Sequence, residues 1–246
     1  ACGSIGAIDK GKQIHEEIVN GGLLERNIVL NNTLVDMYAK CGAFVKAQQV
    51  LEELPVRGVV SWCALISGYA REGDFRRVRD MFTRMQHEGL SPDEVTFLCV
   101  LNACNQSGNL EEAQIYYENM SKKYGIAPKL EHHSCMVTIF GHAGCFDKAL
   151  SVIQAMPSSF GGESVVWLAL LNACRKWGNV KLGRLAFEKI LMQGDINLAA
   201  SYVLMASIYR AAGMQDEVKK IEAMRVRMHD NPDRLVEWLK HAYGFT

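Results

Sequence analysis

The apolar positions between Val59 and Asp93 predict two helices joined by a short turn. Apolar residues recur at the spacing of one helical face before and after the segment Arg71-Glu72-Gly73-Asp74; they are Leu65, Ile66, Tyr69 and Ala70, then Val78, Met81, Phe82 and Met85. Gly73 suits the left-handed conformation that ends a helix, and Asp74 suits the start of the next one. Neither helix can bury its apolar side alone, so we expect the pair to stack on copies of itself.

The spacing of glycines shows that this helical pair is repeated along the chain. Gly73 has counterparts at steps of 31 to 36 residues, namely Gly6, Gly42, Gly108, Gly144, Gly178 and Gly213. Four further columns keep phase with these glycines: apolar residues eight before, aromatic residues or cysteines four before, small or β-branched residues five after, and apolar residues twelve after. The pattern predicts an all-α fold, an α-solenoid of helix-turn-helix repeats.

The step lengths divide the chain into units. The chain opens in the middle of a repeat, so we expect a partial repeat over residues 1–27. The sequence is therefore interpreted as a fragment or a processed chain. Complete units of unequal length follow, and they are 28–58, 59–93, 94–129 and 130–163, then two more over 164–231. Asn231 and Pro232 start a last amphipathic helix over 232–246. That helix either caps the solenoid or docks a partner.

Several sequence phrases resemble the pentatricopeptide repeat (PPR) family, in its PLS subclass, whose repeats alternate among such lengths. They include GKQIH at 11–15, VVSWCALISGYAREG at 59–73 and PDEVTFLCVLNAC at 92–104. The phrases VVWLALLNACRKWGNVKLG at 165–183 and SYVLMASIYRAAGMQDEV at 201–218 are similar to the E-type extension repeats of that subclass. The resemblance implies a right-handed superhelix of PPR/TPR-like repeats, and an organellar location in the mitochondrion or chloroplast.

The resemblance also implies binding of single-stranded RNA, with about one base per repeat. In the family, the fifth residue of each first helix and the last residue of the unit face the base edge, and an apolar second residue packs against the base face. Carried over, the pairs are Asn32 with Gly58, Cys63 with Asp93, Leu98 with Lys129 and Ser134 with Glu163. The second residues are Val29, Val60 and Val95, whereas Glu131 departs from the pattern. The thirteenth residue, often basic in the family, includes Lys40 and Arg71.

Only half of each readable pair is present in this chain. Asn32 has Gly58 in place of a polar partner, and Asp93 faces Cys63, whose thiol is a poor hydrogen-bond donor. Two interpretations of Asn32 and Asp93 therefore stay open: they contact RNA, or they are inherited residues that face water or a protein.

Charge is unevenly placed, although the total is zero. Residues 1–163 carry 15 basic and 19 acidic side chains, and residues 164–246 carry 12 and 8. Because phosphate neutralisation dominates nucleic-acid affinity, the region expected to hold RNA has the less suitable charge. The basic cluster Arg175, Lys176, Lys181 and Arg184 is either a solvated helix face or a landing surface for RNA or an acidic partner.

The sequence predicts no catalysis, metal or cofactor. His15-Glu16-Glu17 has the composition of a deaminase H-x-E element, but no P-C-x-x-C follows, so no DYW deaminase domain is expected in this chain. His132-His133 lacks a second ligand pair, and the cysteines form no C-x-x-C pair. No run of 18 apolar residues predicts a membrane span, and no leader or transit segment is recognised.

Two functional hypotheses follow. The first is an RNA-binding adaptor for organellar RNA processing or editing, whose residues 164–246 recruit a deaminase or another editing factor. The alternative is a helical-repeat scaffold that contacts the subunits of a larger organellar assembly and has lost RNA recognition.

Overall fold

The computed structural model describes residues 8–23, 27–157, 163–193 and 198–230, and over these ranges it contains helices and no strand. The helices are α1 (Ile8–Asn20), α2 (Ile28–Lys40), α3 (Phe44–Glu53), α4 (Val59–Arg71), α5 (Phe75–His87), α6 (Glu94–Ser107), α7 (Leu110–Lys122), α8 (Leu130–His142), α9 (Phe146–Gln154), α10 (Glu163–Trp177), α11 (Val180–Gln193), α12 (Leu198–Ala211) and α13 (Gln215–Asp230). The predicted all-α repeat solenoid is confirmed. The predicted helix over 232–246 lies outside the described residues.

The turn glycines end the first helix of each pair as predicted. Gly42, Gly73, Gly108, Gly144, Gly178 and Gly213 have φ between 65° and 74°, a conformation that costs a residue with a side chain. After Gly73, the Asp74 carboxylate accepts a hydrogen bond from the Arg77 backbone N–H at 3.1 Å and so caps α5. The sixth residue of the chain, Gly6, lies outside the described residues.

The repeated apolar columns form the core. Eight positions before the turn glycines, the exposed fraction is at most 4% at Leu34, Leu65, Val100, Met136, Leu170 and Met205. Cys104 and Cys174 are fully buried in the column that elsewhere holds aromatic residues, so they act as small core residues. Equivalent positions therefore form the core in each of these repeats.

Small residues allow successive first helices to approach closely. A Cβ atom added at Gly68 on α4 would lie 2.8 Å from the Cβ of Ala39 on α2. The same relation recurs further along the chain, where a Cβ at Gly141 on α8 would lie 2.5 Å from the Cβ of Ala173 on α10. Since protein interiors are close-packed, these positions fix the spacing between first helices.

The chain divides into two compact units, residues 1–135 and 136–246. In the first unit, α2 packs on α4 and α4 packs on α6, so the first helices form one layer. In the second unit, α10 packs on both α11 and α12. None of the described helices is both long and apolar enough to cross a bilayer.

Candidate nucleic-acid interface

Three valines form a repeated apolar surface at the start of successive first helices. Val29, Val60 and Val95 are the second residues of α2, α4 and α6, and they are 69%, 61% and 52% exposed. Most other valines of these helices are buried in the core, for example Val35 and Val100. Glu131, at the same position of α8, is also exposed. The surface therefore offers one apolar side chain per repeat over three repeats.

Asn32 and Gly58 are brought together through a third residue, Ser61. The Ser61 hydroxyl donates a hydrogen bond to Asn32 Oδ1 at 2.6 Å and accepts one from the Gly58 backbone N–H at 3.3 Å. Gly58 is the residue before α4, and Ser61 is the third residue of that helix. The Ser61 hydroxyl thus bridges the fifth residue of this repeat, Asn32, and its last residue, Gly58.

Cys63 and Asp93 are linked by Thr96 in the same manner. Asp93 precedes α6 and caps it, because its Oδ1 accepts hydrogen bonds from the Thr96 backbone N–H at 2.8 Å and from the Thr96 hydroxyl at 2.7 Å. The Cys63 Sγ lies 2.9 Å from Thr96 Oγ1 and 3.9 Å from Asp93 Oδ1. Burial raises the pKa of the Cys63 thiol to about 12, so the thiol stays protonated and neutral.

The pair Leu98 and Lys129 has a different surrounding. The Lys129 ammonium forms an ion pair with Glu94, at 2.6 Å between Nζ and Oε1. His132, the third residue of α8, accepts a hydrogen bond from the Lys129 backbone N–H at Nδ1 (3.1 Å), and its Nε2–H donates to the Glu94 carbonyl at 2.8 Å. Leu98 is half-buried and offers no hydrogen bond from its side chain.

The remaining predicted site residues are less clearly grouped. Ser134 lies in the first unit and Glu163 in the second; Glu163 is the first residue of α10 and accepts a hydrogen bond from Gln193 Nε2 at 3.2 Å. Lys40 forms an ion pair with Asp36 at 2.6 Å on its own helix. Arg71 is exposed and forms no ion pair with any residue that the structure describes.

The third residues of α4, α6 and α8 take part in the site and were not predicted from the sequence. Ser61, Thr96 and His132 are 0%, 0% and 2% exposed, and each bonds the backbone N–H of the residue that precedes its helix. A side chain three residues after the N-cap residue that bonds the N-cap backbone N–H is one half of a capping box. That pattern was visible in G-V-V-S and D-E-V-T.

The described residues provide no grouping suited to metal chemistry. No three His, Cys, Asp or Glu side chains within these ranges converge as metal ligands. His133 is bonded to the Tyr117 hydroxyl through Nδ1 at 2.7 Å, and His15 to the Tyr38 hydroxyl at 3.1 Å. Burial raises the pKa of Cys104, Cys135 and Cys174 to about 12, so these thiols are not nucleophiles at neutral pH.

Comparison with family models identifies the repeats. The model described as "PPR repeat" matches residues 32–59, 95–124 and 131–159, and the model described as "PPR repeat family" matches residues 57–106. The chain carries pentatricopeptide repeats. The matched PPR repeats include the fifth residues Asn32, Cys63 and Leu98 and the exposed Val60 and Val95.

Curated relatives with these repeats come from Arabidopsis thaliana. A putative pentatricopeptide repeat-containing protein is 42% identical over 228 residues, which are 92% of this chain and 27% of the relative. Two others, one named mitochondrial and one named chloroplastic, are each 38% identical over 91% of this chain. The match covers 34% of the mitochondrial relative and 30% of the chloroplastic one. The chain therefore spans about a third or less of each of these three relatives.

Solved structures show the same fold at low sequence identity. One similar structure is that of the pentatricopeptide repeat protein PPR10 in complex with an 18-nt psaJ RNA element, which gives a TM-score of 0.72 at 17% identity. The match covers 93% of this chain and 34% of the PPR10 chain. The PPR domain of Arabidopsis thaliana protein-only RNase P 1 in complex with tRNA gives a TM-score of 0.57 at 18% identity. That match covers 74% of this chain and 98% of the PPR domain chain.

Proposed function

We propose that this chain is a single-stranded RNA-binding adaptor for organellar RNA processing or editing and that it performs no catalysis itself. The observation that carries this proposal is the row of exposed valines, Val29, Val60 and Val95, one per PPR repeat. A ligand that matches this row has a flat apolar face once per residue, and unstacked nucleobases have this property. Beside the row, the fifth and last residues offer hydrogen-bonding groups to base edges.

The similar proteins support this proposal. Both solved structures named above are complexes with RNA, and their titles name a psaJ RNA element and a tRNA. The relatives named mitochondrial and chloroplastic support an organellar location. We extend both properties to this chain because it shares the repeats and the fold.

We assign the second half of the described chain to partner recruitment. By resemblance it carries two E-type extension repeats over 164–231, and the chain is of the PLS subclass. Arg175 and Lys181 are exposed, and neither forms an ion pair with a described residue. Such uncompensated cations suit an acidic protein partner, and we propose a deaminase or another editing factor in that role.

A second candidate function is a scaffold subunit of a larger organellar assembly. Two observations favour it: residues 1–163 carry four more acidic than basic side chains, and Gly58 and Cys63 weaken two of the base-reading pairs. In this alternative the exposed valines contact protein, because an apolar row can equally bind a helix.

Filter binding to single-stranded RNA at several salt concentrations distinguishes these functions. The adaptor predicts measurable affinity that falls linearly with the logarithm of salt concentration, because counterions are released when phosphates are neutralised. The matched control is the same RNA annealed to its complement, in which the bases are stacked and their faces hidden. Equal binding of both forms, or no binding at low salt, contradicts the adaptor. The scaffold is supported if the native protein purifies with a constant set of protein neighbours and no RNA.

A further inference from the structure

The third residues of two first helices join the fifth and last residues of the repeat before them. Ser61 connects to Asn32 and to the Gly58 N–H, and Thr96 connects to Cys63 and to the Asp93 N–H at 3.3 Å. Both hydroxyls are fully buried. Where the fifth residue is the apolar Leu98, the third residue is His132, and it bonds the Glu94 carbonyl instead. Over repeats 28–58, 59–93 and 94–129 the hydroxyl therefore accompanies Asn32 and Cys63 and is absent beside Leu98.

The hydrogen atoms of the Ser61 site can be assigned. Its hydroxyl accepts from the Gly58 N–H, and its single proton goes to Asn32 Oδ1. This bond engages one lone pair of the Asn32 amide oxygen and fixes the orientation of the amide, so that Nδ2 is the donor that the amide offers to a ligand. Gly58 has no side chain that could offer the ligand a second hydrogen-bonding group. Repeat 28–58 consequently presents a hydrogen-bond donor.

At the Thr96 site, the group left for a ligand is a hydrogen-bond acceptor. The Thr96 proton goes to Asp93 Oδ1 at 2.7 Å, so the bond at 2.9 Å between Cys63 and Thr96 uses the thiol proton. The thiol proton of Cys63 is thus directed to Thr96 Oγ1, at 2.9 Å, in preference to Asp93 Oδ1, at 3.9 Å. What remains for a ligand is the second oxygen of Asp93, and no basic residue that the structure describes forms an ion pair with it. Repeat 59–93 consequently presents a hydrogen-bond acceptor.

We propose that Ser61 and Thr96 are positioning residues that set the hydrogen-bond polarity of two adjacent base sites, a donor from Asn32 and an acceptor from Asp93. This inference rests on the proposed RNA binding. The base held by repeat 28–58 must offer an acceptor on its edge, and the base held by repeat 59–93 must offer an amino or imino donor. The two neighbouring nucleotides are then selected for opposite hydrogen-bonding groups, an acceptor at the first and a donor at the second.

The test is the base preference of the whole chain, measured by sequencing RNA bound from a randomised single-stranded pool. The wild type is expected to select bases at two adjacent nucleotides. Ser61→Ala is expected to reduce discrimination about tenfold at the first of them, because the Asn32 amide becomes free to rotate and present either end. Thr96→Val is expected to do the same at the second nucleotide, because it frees the thiol proton of Cys63.

Three controls separate positioning from folding. Ser67→Ala removes a hydroxyl of the same helix α4 that bonds only the Ala64 carbonyl, and it should leave the preference unchanged. Ser61→Thr and Thr96→Ser keep the hydroxyl and should restore wild-type preference. Discrimination is a ratio of affinities for two RNAs, so a smaller folded fraction does not change it. RNA binding with an unaltered preference in both Ser61→Ala and Thr96→Val overturns this inference alone, whereas a wild type that binds no RNA also overturns the proposed function.

Discussion

The helical pairs between residues 28 and 122 and those between residues 163 and 230 share one packing scheme and differ in the surface they present. The turn glycines have the same left-handed conformation in both regions, and the apolar columns are buried to the same extent. In the first region two fifth residues, Asn32 and Cys63, are held by buried hydroxyls. In the second, the residues that correspond to these fifth residues, ten positions before the turn glycines Gly178 and Gly213, are Leu168 and Val203.

This difference teaches which positions determine the fold and which determine the function. The second region keeps the glycines and the core and has no polar fifth residue. The solenoid therefore does not depend on the fifth residues, so their chemistry is free to follow a ligand. A region with apolar residues at these positions and three more basic than acidic side chains, 10 against 7 over residues 163–230, is suited to a protein partner.

The largest expected effect tests the shared packing. Leu65→Ala and Leu170→Ala should each lower the free energy of unfolding by about 2–5 kcal/mol, because both side chains are fully buried and their loss leaves a cavity. Urea unfolding, with hydrogen exchange to locate the loss, measures the change. A cost close to zero in one region would show that the two regions are not packed alike.

A smaller effect is expected at the turns. Gly108→Ala and Gly178→Ala should each cost about 1–2 kcal/mol, since φ is 72° and 65° at these residues and an added Cβ meets no atom within 4 Å at either one. The cost is then that of the backbone conformation alone. Thermal unfolding provides the measurement, and clearly unequal costs would contradict the equivalence of the two turns.

The difference in surface predicts a difference in RNA affinity. Val60→Asp should weaken binding of single-stranded RNA about tenfold, because it puts a carboxylate where a base face is expected, and it should leave stability unchanged because the residue is 61% exposed. Val203→Asp, at a residue 53% exposed in the second region, is the matched control and should leave RNA affinity within about twofold. Equal losses in both variants would mean that the two regions bind RNA alike.

The smallest effect is expected on acidification. Burial lowers the pKa of His15 and of His133 below the ordinary value of 6.5, and both residues lie in the first unit. The unfolded chain then binds more protons than the folded one, so stability is complete above pH 6.5 and falls progressively as the pH drops below it. Hydrogen exchange at pH 7.5 and pH 5.5 should show loss of protection in residues 8–135 before residues 163–230. Loss of protection in the reverse order would contradict this reading of the two histidines.

The sequence predicted the fold because the residues that end and pack the helices are local or strictly periodic. Gly73 acts on the turn in which it lies, and apolar residues equivalent to Leu65 recur once per repeat. The role of Ser61 was not predicted, since its hydrogen bond to Asn32 joins residues 29 apart and depends on how α2 and α4 pack. The division at Cys135 was not predicted either, because the apolar columns continue across it without a change in spacing.

The most direct test of the central claim is to locate the RNA on the chain. Single-stranded RNA that carries 4-thiouridine is crosslinked to the intact protein, and the modified peptides are identified by mass spectrometry. The account predicts crosslinks at the starts of α2, α4 and α6, around Val29, Val60 and Val95. Crosslinks confined to residues 163–230, or none at low salt, would contradict it.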